Sequence, residues 1–437
     1  MKSSASINYL IMQVDRLIAQ QLGEIIRNAA FLQLRASWIG LHYLVQQVSS
    51  KNNNKVRFLD VAWEELRRDL ERSAAVEQSH LYDKIYSQEF GIAGGEPYGL
   101  LLADYELTLD KLQAGQTAQT LNALKLLADI AAASFAVIVI NVKPELFGIN
   151  SFNEISKQSV IKTDLNERNQ ISWDAFRGSE NARFVCVVMP KVLMSSYYNQ
   201  HVHQQRVYFN EDPIIWSNAI YSYAANFARS FANTGWFLDA LGIPNDVLPS
   251  YAGMLPQLEA NKFTSGLGDT IPKLLTEVLI TAQQEQQLNA GGFTALSQLP
   301  QTPYAAFVNS PSLKLPFKLE SSNLSGEELA CSVIYTLSIC RFAHYLKILG
   351  RQQIGKFPDA KACESYLQHW LGDYVTSNPD VPLELKYRYP LADAKVTVIK
   401  STGFNEHYIC LISLCPQLRT THAAASVLLK TALLPLQ

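Results

Sequence analysis

Charge is scarce in this sequence, and it is balanced. Charged residues make up 17% of the 437, and 37 Lys and Arg stand against 39 Asp and Glu, a net charge of −2 with no acidic or basic tail. That balance gives no support to a nucleic-acid partner or a charged membrane surface. No apolar run reaches the length of about 20 residues that a membrane-spanning helix needs. The longest, Ile130 to Ile140, reads as a helix end running into a strand. Met1 to Asn8 is polar and short, unlike a secretory leader, so the expected compartment is the cytoplasm. The six cysteines, Cys186, Cys331, Cys340, Cys363, Cys410 and Cys415, form no Cys-x-x-Cys pair and are expected as buried free thiols.

Catalytic signatures are missing too. There is no Gly-x-Ser-x-Gly elbow and no His-Glu-x-x-His. The eight histidines are dispersed; His201 and His203 have no recognisable third ligand nearby, and His42, His80, His344 and His369 fall on predicted helices. Ser265-Gly266-Leu267-Gly268-Asp269-Thr270 lacks the lysine of a phosphate loop and reads as a turn. No catalytic residue, cofactor or metal is expected. An enzyme assembled from distant residues is the alternative from another class.

What is present is a core: 48% of residues are hydrophobic, enough for two or three domains. The organising stretch runs from Gly94 to Gly148. It opens Gly94-Gly95-Glu96-Pro97-Tyr98-Gly99, enters a buried strand over 99–105, continues as a helix over 118–134 and returns as a β-branched strand over 135–142. Strand, crossover and strand predict a βαβ unit with parallel strands. Its glycines precede the first strand, whereas a phosphate cradle needs them after it, so a scaffold is the better reading.

Upstream, the i, i+3, i+4 pattern predicts helix over 7–48 with a break near Asn28. Gly40 is expected to let that helix approach a neighbour closely. Residues 55–61 alternate like a strand, 63–72 like an amphipathic helix, and Ser79 is a plausible cap. Arg177, Glu180 and Arg183 suggest an arginine–carboxylate network that fixes a loop before a strand over 184–189. Trp216 is expected to open a helix to about Asn233, with strands at 276–281, 291–296 and 304–308 and a helix at 282–289. The stretch 311–325 is the linker candidate, dividing the chain into 1–315 and 326–437. After it come a long helix from Gly326 through Leu349, a helix over 361–374, and strands over 394–400, 406–414 and 425–433. The fold class is mixed α/β (α+β): a βαβ-containing central sheet flanked by helices, then a C-terminal helix and three-stranded sheet. On the long helix His344, Lys347 and Arg351, with Arg341 at the edge, fall opposite Phe342, Tyr345, Leu346 and Leu349. That basic stripe is either a solvated face or a contact with acidic residues of a neighbouring subunit.

Several blocks resemble, in order, the large sheath subunit of bacterial type VI secretion systems. They are Trp38-x-Gly40-Leu41 after Phe31; Gly94-Gly95-Glu96-Pro97-Tyr98-Gly99 with Asp104-Tyr105; and Pro144 to Phe152, containing Phe147 and Gly148. Trp173 to Val185, Trp216 to Ala219 with Gly235-Trp236, and Arg341 to Lys347 complete the series. The resemblance implies a structural protein that pairs with a small sheath subunit and with other copies of itself. The product would be a helical tube around an inner tube protein, contracting to drive it outward. It also implies strand exchange through the C-terminal strands, which makes Val396, Val398, Tyr408, Cys410, Val427 and Leu429 interface candidates beside Arg341, His344, Lys347 and Arg351. Either the main sheath subunit or an accessory or terminal paralogue fits. The family carries a long polar N-terminal arm ahead of the helix that corresponds to 10–26, where this sequence has only about eight residues. The roles tied to that arm, linking neighbours and engaging an AAA+ unfoldase, lose support accordingly; a baseplate contact remains a possible partner role.

Overall fold

The computed structural model describes residues 2–48, 54–90, 95–195, 214–243, 252–260, 273–316, 330–353, 359–376, 382–400, 408–417 and 427–433. Two helices come first, α1 (Lys2–Arg27) and α2 (Ala29–Gln47). The expected break is an N-cap: Asn28 is extended, and its side chain accepts the Ala30 N–H at 3.0 Å. The strand expected over 55–61 does not form, and the segment joins no sheet. Ion pairs hold it instead: Lys55 Nζ lies 2.5 Å from Glu96, and Arg57 donates to the buried Glu89. Next are α3 (Trp63–Arg72) and an irregular helical stretch over 80–90, whose first turn Ser79 caps by accepting from the Leu81 and Tyr82 N–H groups.

The βαβ unit forms as expected. β1 (Leu100–Leu107), α4 (Ala114–Ser134) and β2 (Val137–Val142) place Leu100 opposite Val137 in parallel register. Then follow α5 (Glu167–Arg177), β3 (Val185–Met189), and the two-residue strands β4 (Val192–Leu193) and β5 (Trp216–Ser217). Trp216 thus lies in β5, and α6 (Ala219–Thr234) starts after Asn218. α7 (Ala282–Ala290), β6 (Phe293–Gln298) and β7 (Ala305–Phe307) complete the region. The expected strand at 276–281 is reduced to one bridge between Thr276 and Val192. Its end is drawn into a capping box, Thr281 with Gln284, that starts α7.

The central sheet has the order β1-β2-β3-β6-β7, parallel except for β7. β2 is buried on both faces. Val137 and Val139 pack with Tyr43, Tyr223 and Phe227 of α2 and α6, while Ile140 and Val142 pack with Phe147, Trp173 and Phe293 on the other side. Helices on both faces explain why β2 reads as a continuous apolar run. Gly40 makes the expected close approach: a Cβ there would collide with Ser217 Oγ and the Tyr221 ring.

Residues 311–315, part of the expected linker, are woven into this core. The Leu313 N–H donates to Val185 O at 3.0 Å and the Leu315 N–H to Arg177 O at 2.9 Å. The long helix α8 (Val333–Gln353) begins later than expected; Gly326 to Glu328 lie outside the described residues. α9 (Ala360–Gly372) and α10 (Leu383–Arg388), the latter unforeseen, precede β8 (Leu391–Lys400), β9 (Tyr408–Pro416) and β10 (Val427–Leu433). These strands form an antiparallel sheet of order β10-β9-β8. One face of it, Ala394, Val396, Val398, Cys410, Ile412 and Leu414, packs on Phe342 and Leu346 of α8 and on Cys363, Leu367 and Leu371 of α9.

Candidate assembly surfaces

The glycine-rich opening is a structural joint. Gly94 lies outside the described residues. At Gly95 a Cβ would collide with the Glu89 backbone carbonyl, so only glycine fits. The Glu96 N–H donates to Glu89 Oε2 at 2.8 Å, and Glu96 also holds Lys55. Past Pro97, the Gly99 carbonyl accepts the Val137 N–H at 3.1 Å as the first rung between β1 and β2. Phe147 is buried edge-on against Phe293, with centroids 5.1 Å apart. Gly148 has φ +68°, and a Cβ on it would meet Asp164 Oδ2 at 2.8 Å. Asp164 in turn binds Lys111 Nζ at 2.8 Å. Ahead of the crossover helix, the Asp110 carboxylate accepts the Leu112 N–H at 2.8 Å.

The arginine–carboxylate network differs from expectation. Arg177 takes no part: its Nε donates to Leu313 O at 3.0 Å and its guanidinium lies 5.9 Å from the Trp173 ring centre. Burial pushes its pKa below the usual arginine value. Glu180 pairs with Arg183 and with the buried Lys314, 2.6 Å away. Sequence spacing could not find Lys314, because 134 positions separate it from Glu180.

The basic stripe on α8 is also corrected. Arg341 is enclosed by aromatic rings, 4.2 Å from the centre of Phe231, 5.3 Å from Trp236 and 4.9 Å from Tyr345, whose hydroxyl it also contacts. His344 is buried, with Nε2 3.1 Å from Ser134 O and its ring 5.4 Å from that of Phe90. Burial pushes its pKa down to about 4, so it is neutral at pH 7 and donates from Nε2. Lys347 Nζ donates to Tyr86 Oη at 2.8 Å and sits over the rings of Tyr86 and Phe135. These residues clamp the C-terminal helix to the N-terminal body. The Arg351 side chain lies outside the described residues. Helical periodicity places the stripe correctly, but it cannot show that Tyr86, Phe90 and Phe135 from distant segments cover it.

In the C-terminal sheet, Val396, Val398 and Cys410 face α8 and α9 and are buried. Their side chains are core, so any part they take in a contact goes through the backbone. Lys395, Thr397 and Ile399 are exposed on the other face. Register sets Tyr408 opposite Lys400, Val427 opposite Leu414 and Leu429 opposite Ile412; the side chains of Tyr408, Val427 and Leu429 lie outside the described residues.

An apolar surface without a cover among the described residues lies on α1. Ile7, Leu10, Ile11, Val14, Leu17, Ile18 and Ile25 are all exposed. At 100° per residue they fall within an arc of roughly 120°, the stripe a helix normally buries. The sequence pattern reveals this stripe but not that no described residue covers it. Beside α2, Trp38 is exposed and meets Phe58 of the unpaired 55–61 segment, ring centroids 5.8 Å apart.

His201, His203 and Ser265 to Thr270 lie outside the described residues. Among the described residues, no group of three or more His, Cys, Asp or Glu side chains is placed to hold a metal. No described helix is long and apolar enough to cross a membrane.

A layered α/β body, a clamped C-terminal sheet and an apolar helix that no described residue covers are features of a building block. Comparison with known proteins agrees. The profile of the EvpB/VC_A0108 tail sheath N-terminal domain matches residues 8–314, and that of the EvpB/VC_A0108 tail sheath gpW/gp25-like domain matches residues 323–433. The type VI secretion system sheath protein TssC1 of Pseudomonas aeruginosa is 30% identical over 415 residues, spanning 92% of this chain and 81% of that protein. The chain therefore belongs to the EvpB/VC_A0108 tail sheath family.

Proposed function

We propose that this chain is the large structural subunit of a type VI secretion contractile sheath. It pairs with a small sheath subunit in the cytoplasm, stacks with further copies into a helical tube around an inner tube, and contracts to propel it. The observation that carries this reading is the match to both tail sheath domains, in order, along one chain. The α1 stripe supports it independently, because a helix with an apolar face open to water calls for a partner. A tube also needs contacts that do not close on themselves, so that each subunit can accept the next.

The test is co-production with the small sheath subunit encoded in the same organism, followed by negative-stain electron microscopy. Ordered tubes are the expected result. A soluble monomer that ignores the small subunit at every concentration would overturn the reading.

A further inference from the structure

The C-terminal core holds two free cysteines that the fold brings face to face. Cys363 lies in the first turns of α9 and Cys410 near the start of β9, and both side chains are fully enclosed. Hydrogen bonds fix α9 along β8. The Gln368 side-chain amide donates to Ala394 O at 2.8 Å and accepts the Val396 N–H at 2.9 Å, and Glu364 Oε2 accepts the Val398 N–H at 2.9 Å. Val398 stands opposite Cys410 in the β8–β9 register, and both side chains face α9. Cys363, next to Glu364 in sequence, is thereby set over Cys410, and the two thiols hydrogen-bond to each other. A disulfide needs sulfurs about 2.05 Å apart, so thiols already in hydrogen-bonding contact have only a short way to travel.

The pair is polarised. Cys410 donates its S–H to the Cys363 sulfur, which holds the Cys363 thiol below the usual range and pushes that of Cys410 above it. Cys363 also sits near the N-terminus of α9, where the aligned peptide dipoles favour a thiolate. The Glu364 carboxylate opposes ionisation of both thiols. Enclosure restricts the reagent: it has to be close to the size of water, and it enters when the first turn of α9 frays, which costs less than unfolding the core. Cys186 supplies a contrast within the same chain. It is equally buried, but its hydrogen-bond partners are the hydroxyls of Thr294 and Ser310, 3.4 and 3.6 Å away.

We propose that Cys363 and Cys410 form a reversible oxidation site, which hydrogen peroxide converts to a disulfide that pins α9 to β9. The Cys363 thiolate attacks one peroxide oxygen. The S–O bond forms, the O–O bond breaks, and the departing hydroxide takes up the proton that Cys363 released, leaving as water. The Cys410 sulfur then attacks the Cys363 sulfur. The S–S bond forms, the S–O bond breaks, and the departing hydroxide takes the Cys410 proton as a second water. Each sulfur gives up one electron, and the peroxide accepts both. The inference stands on the C-terminal core alone and does not depend on the sheath reading.

Peptide mapping of the full wild-type chain after brief treatment with hydrogen peroxide is the test. A linked Cys363–Cys410 peptide is expected, lighter by two hydrogens and released by dithiothreitol, with Cys186 still a thiol. Cysteines that stay reduced, that oxidise separately to sulfinic acids, or that link to other positions overturn the proposal. Oxidation should slow amide exchange at Val398 and Cys410 by at least roughly tenfold, and reduction should restore it; unchanged exchange overturns the pinning. Cys410→Ala should leave Cys363 as a sulfenic acid that dimedone traps, whereas Cys363→Ala should give no such adduct at Cys410. The reverse pattern overturns the assignment of the attacking thiol. If either variant fails to fold, mapping and exchange on the wild-type chain decide the proposal by themselves.

Discussion

The ammonium of Lys347 lies 4.4 Å from the centre of the Phe135 ring and donates to Tyr86 Oη at 2.8 Å. Phe135 sits at the left-handed corner, φ 52°, where α4 turns into β2. A cation from the C-terminal helix is thereby fixed onto the corner of the βαβ unit. Relative movement of the two regions has to break that contact first, along with the His344 bond to Ser134 beside it.

Lys347→Glu places a carboxylate over ring faces that repel anions and deletes a hydrogen bond. Cation–π contacts contribute up to about 2 kcal/mol when desolvated, and a hydrogen bond about 1 kcal/mol. The expected loss is about 2–3 kcal/mol, read as a lower urea midpoint with an unchanged slope. The stripe pattern alone suggests the opposite, that reversing Lys347 and Arg351 leaves folding intact. An unchanged midpoint would restore that simpler view.

His344 makes stability depend on pH. Burial, with smaller contributions from the charges of Lys347 and Arg341, lowers its pKa from 6.5 to about 4. The folded state therefore binds fewer protons than the unfolded state between those values. The stabilisation is full above pH 6.5 and is lost as pH falls toward 4. The linkage amounts to about 2 kcal/mol between pH 7 and pH 5. His344→Gln, which can still donate to the Ser134 carbonyl, should flatten that slope in urea titrations. Equal slopes in the two proteins would rule His344 out as the source.

Legibility followed the range of the interactions. The βαβ unit and the Asn28 break were readable because each rests on neighbours in sequence: β-branched runs in one case, a cap in the other. The 55–61 segment misled because alternation reports a strand's preferred faces, whereas a strand also needs a ladder partner, and Arg57 and Lys55 are tied to Glu89 and Glu96 instead. The site residues show the same limit. Arg177 and Glu180 are close in sequence, yet each finds its main partner, Leu313 O or Lys314, more than 130 positions away.

Gly40 was legible as a close approach, and its cost can be stated. Gly40→Ala would drive a methyl into Ser217 Oγ and the Tyr221 ring on the face where α2 meets β5 and α6. Helix propensity alone would favour alanine by about 1 kcal/mol. Overpacking a tight contact costs about 1–3 kcal/mol, which outweighs it. A lower melting temperature is expected, and a higher one would mean that the helices separate without loss.

The α1 stripe separates folding from assembly. Leu10 and Leu17 are 59% and 61% exposed, so replacing them removes little from the folded subunit. Leu10→Asp with Leu17→Asp should shift the subunit's own stability by no more than about 0.5 kcal/mol per site. Full burial of one leucine against a partner contributes about 1.5–3 kcal/mol. If the small sheath subunit covers this stripe, two charged substitutions should weaken that complex at least roughly a hundredfold, since each loses the burial and must also desolvate a carboxylate. Titration of the small subunit against wild type and variant measures the difference directly. A lower melting temperature with unchanged affinity would place the stripe inside the chain's own fold. Unchanged values for both would leave α1 as a bare helix and move the heteromeric contact to the Trp38 and Phe58 surface, where Phe58→Asp provides the next comparison.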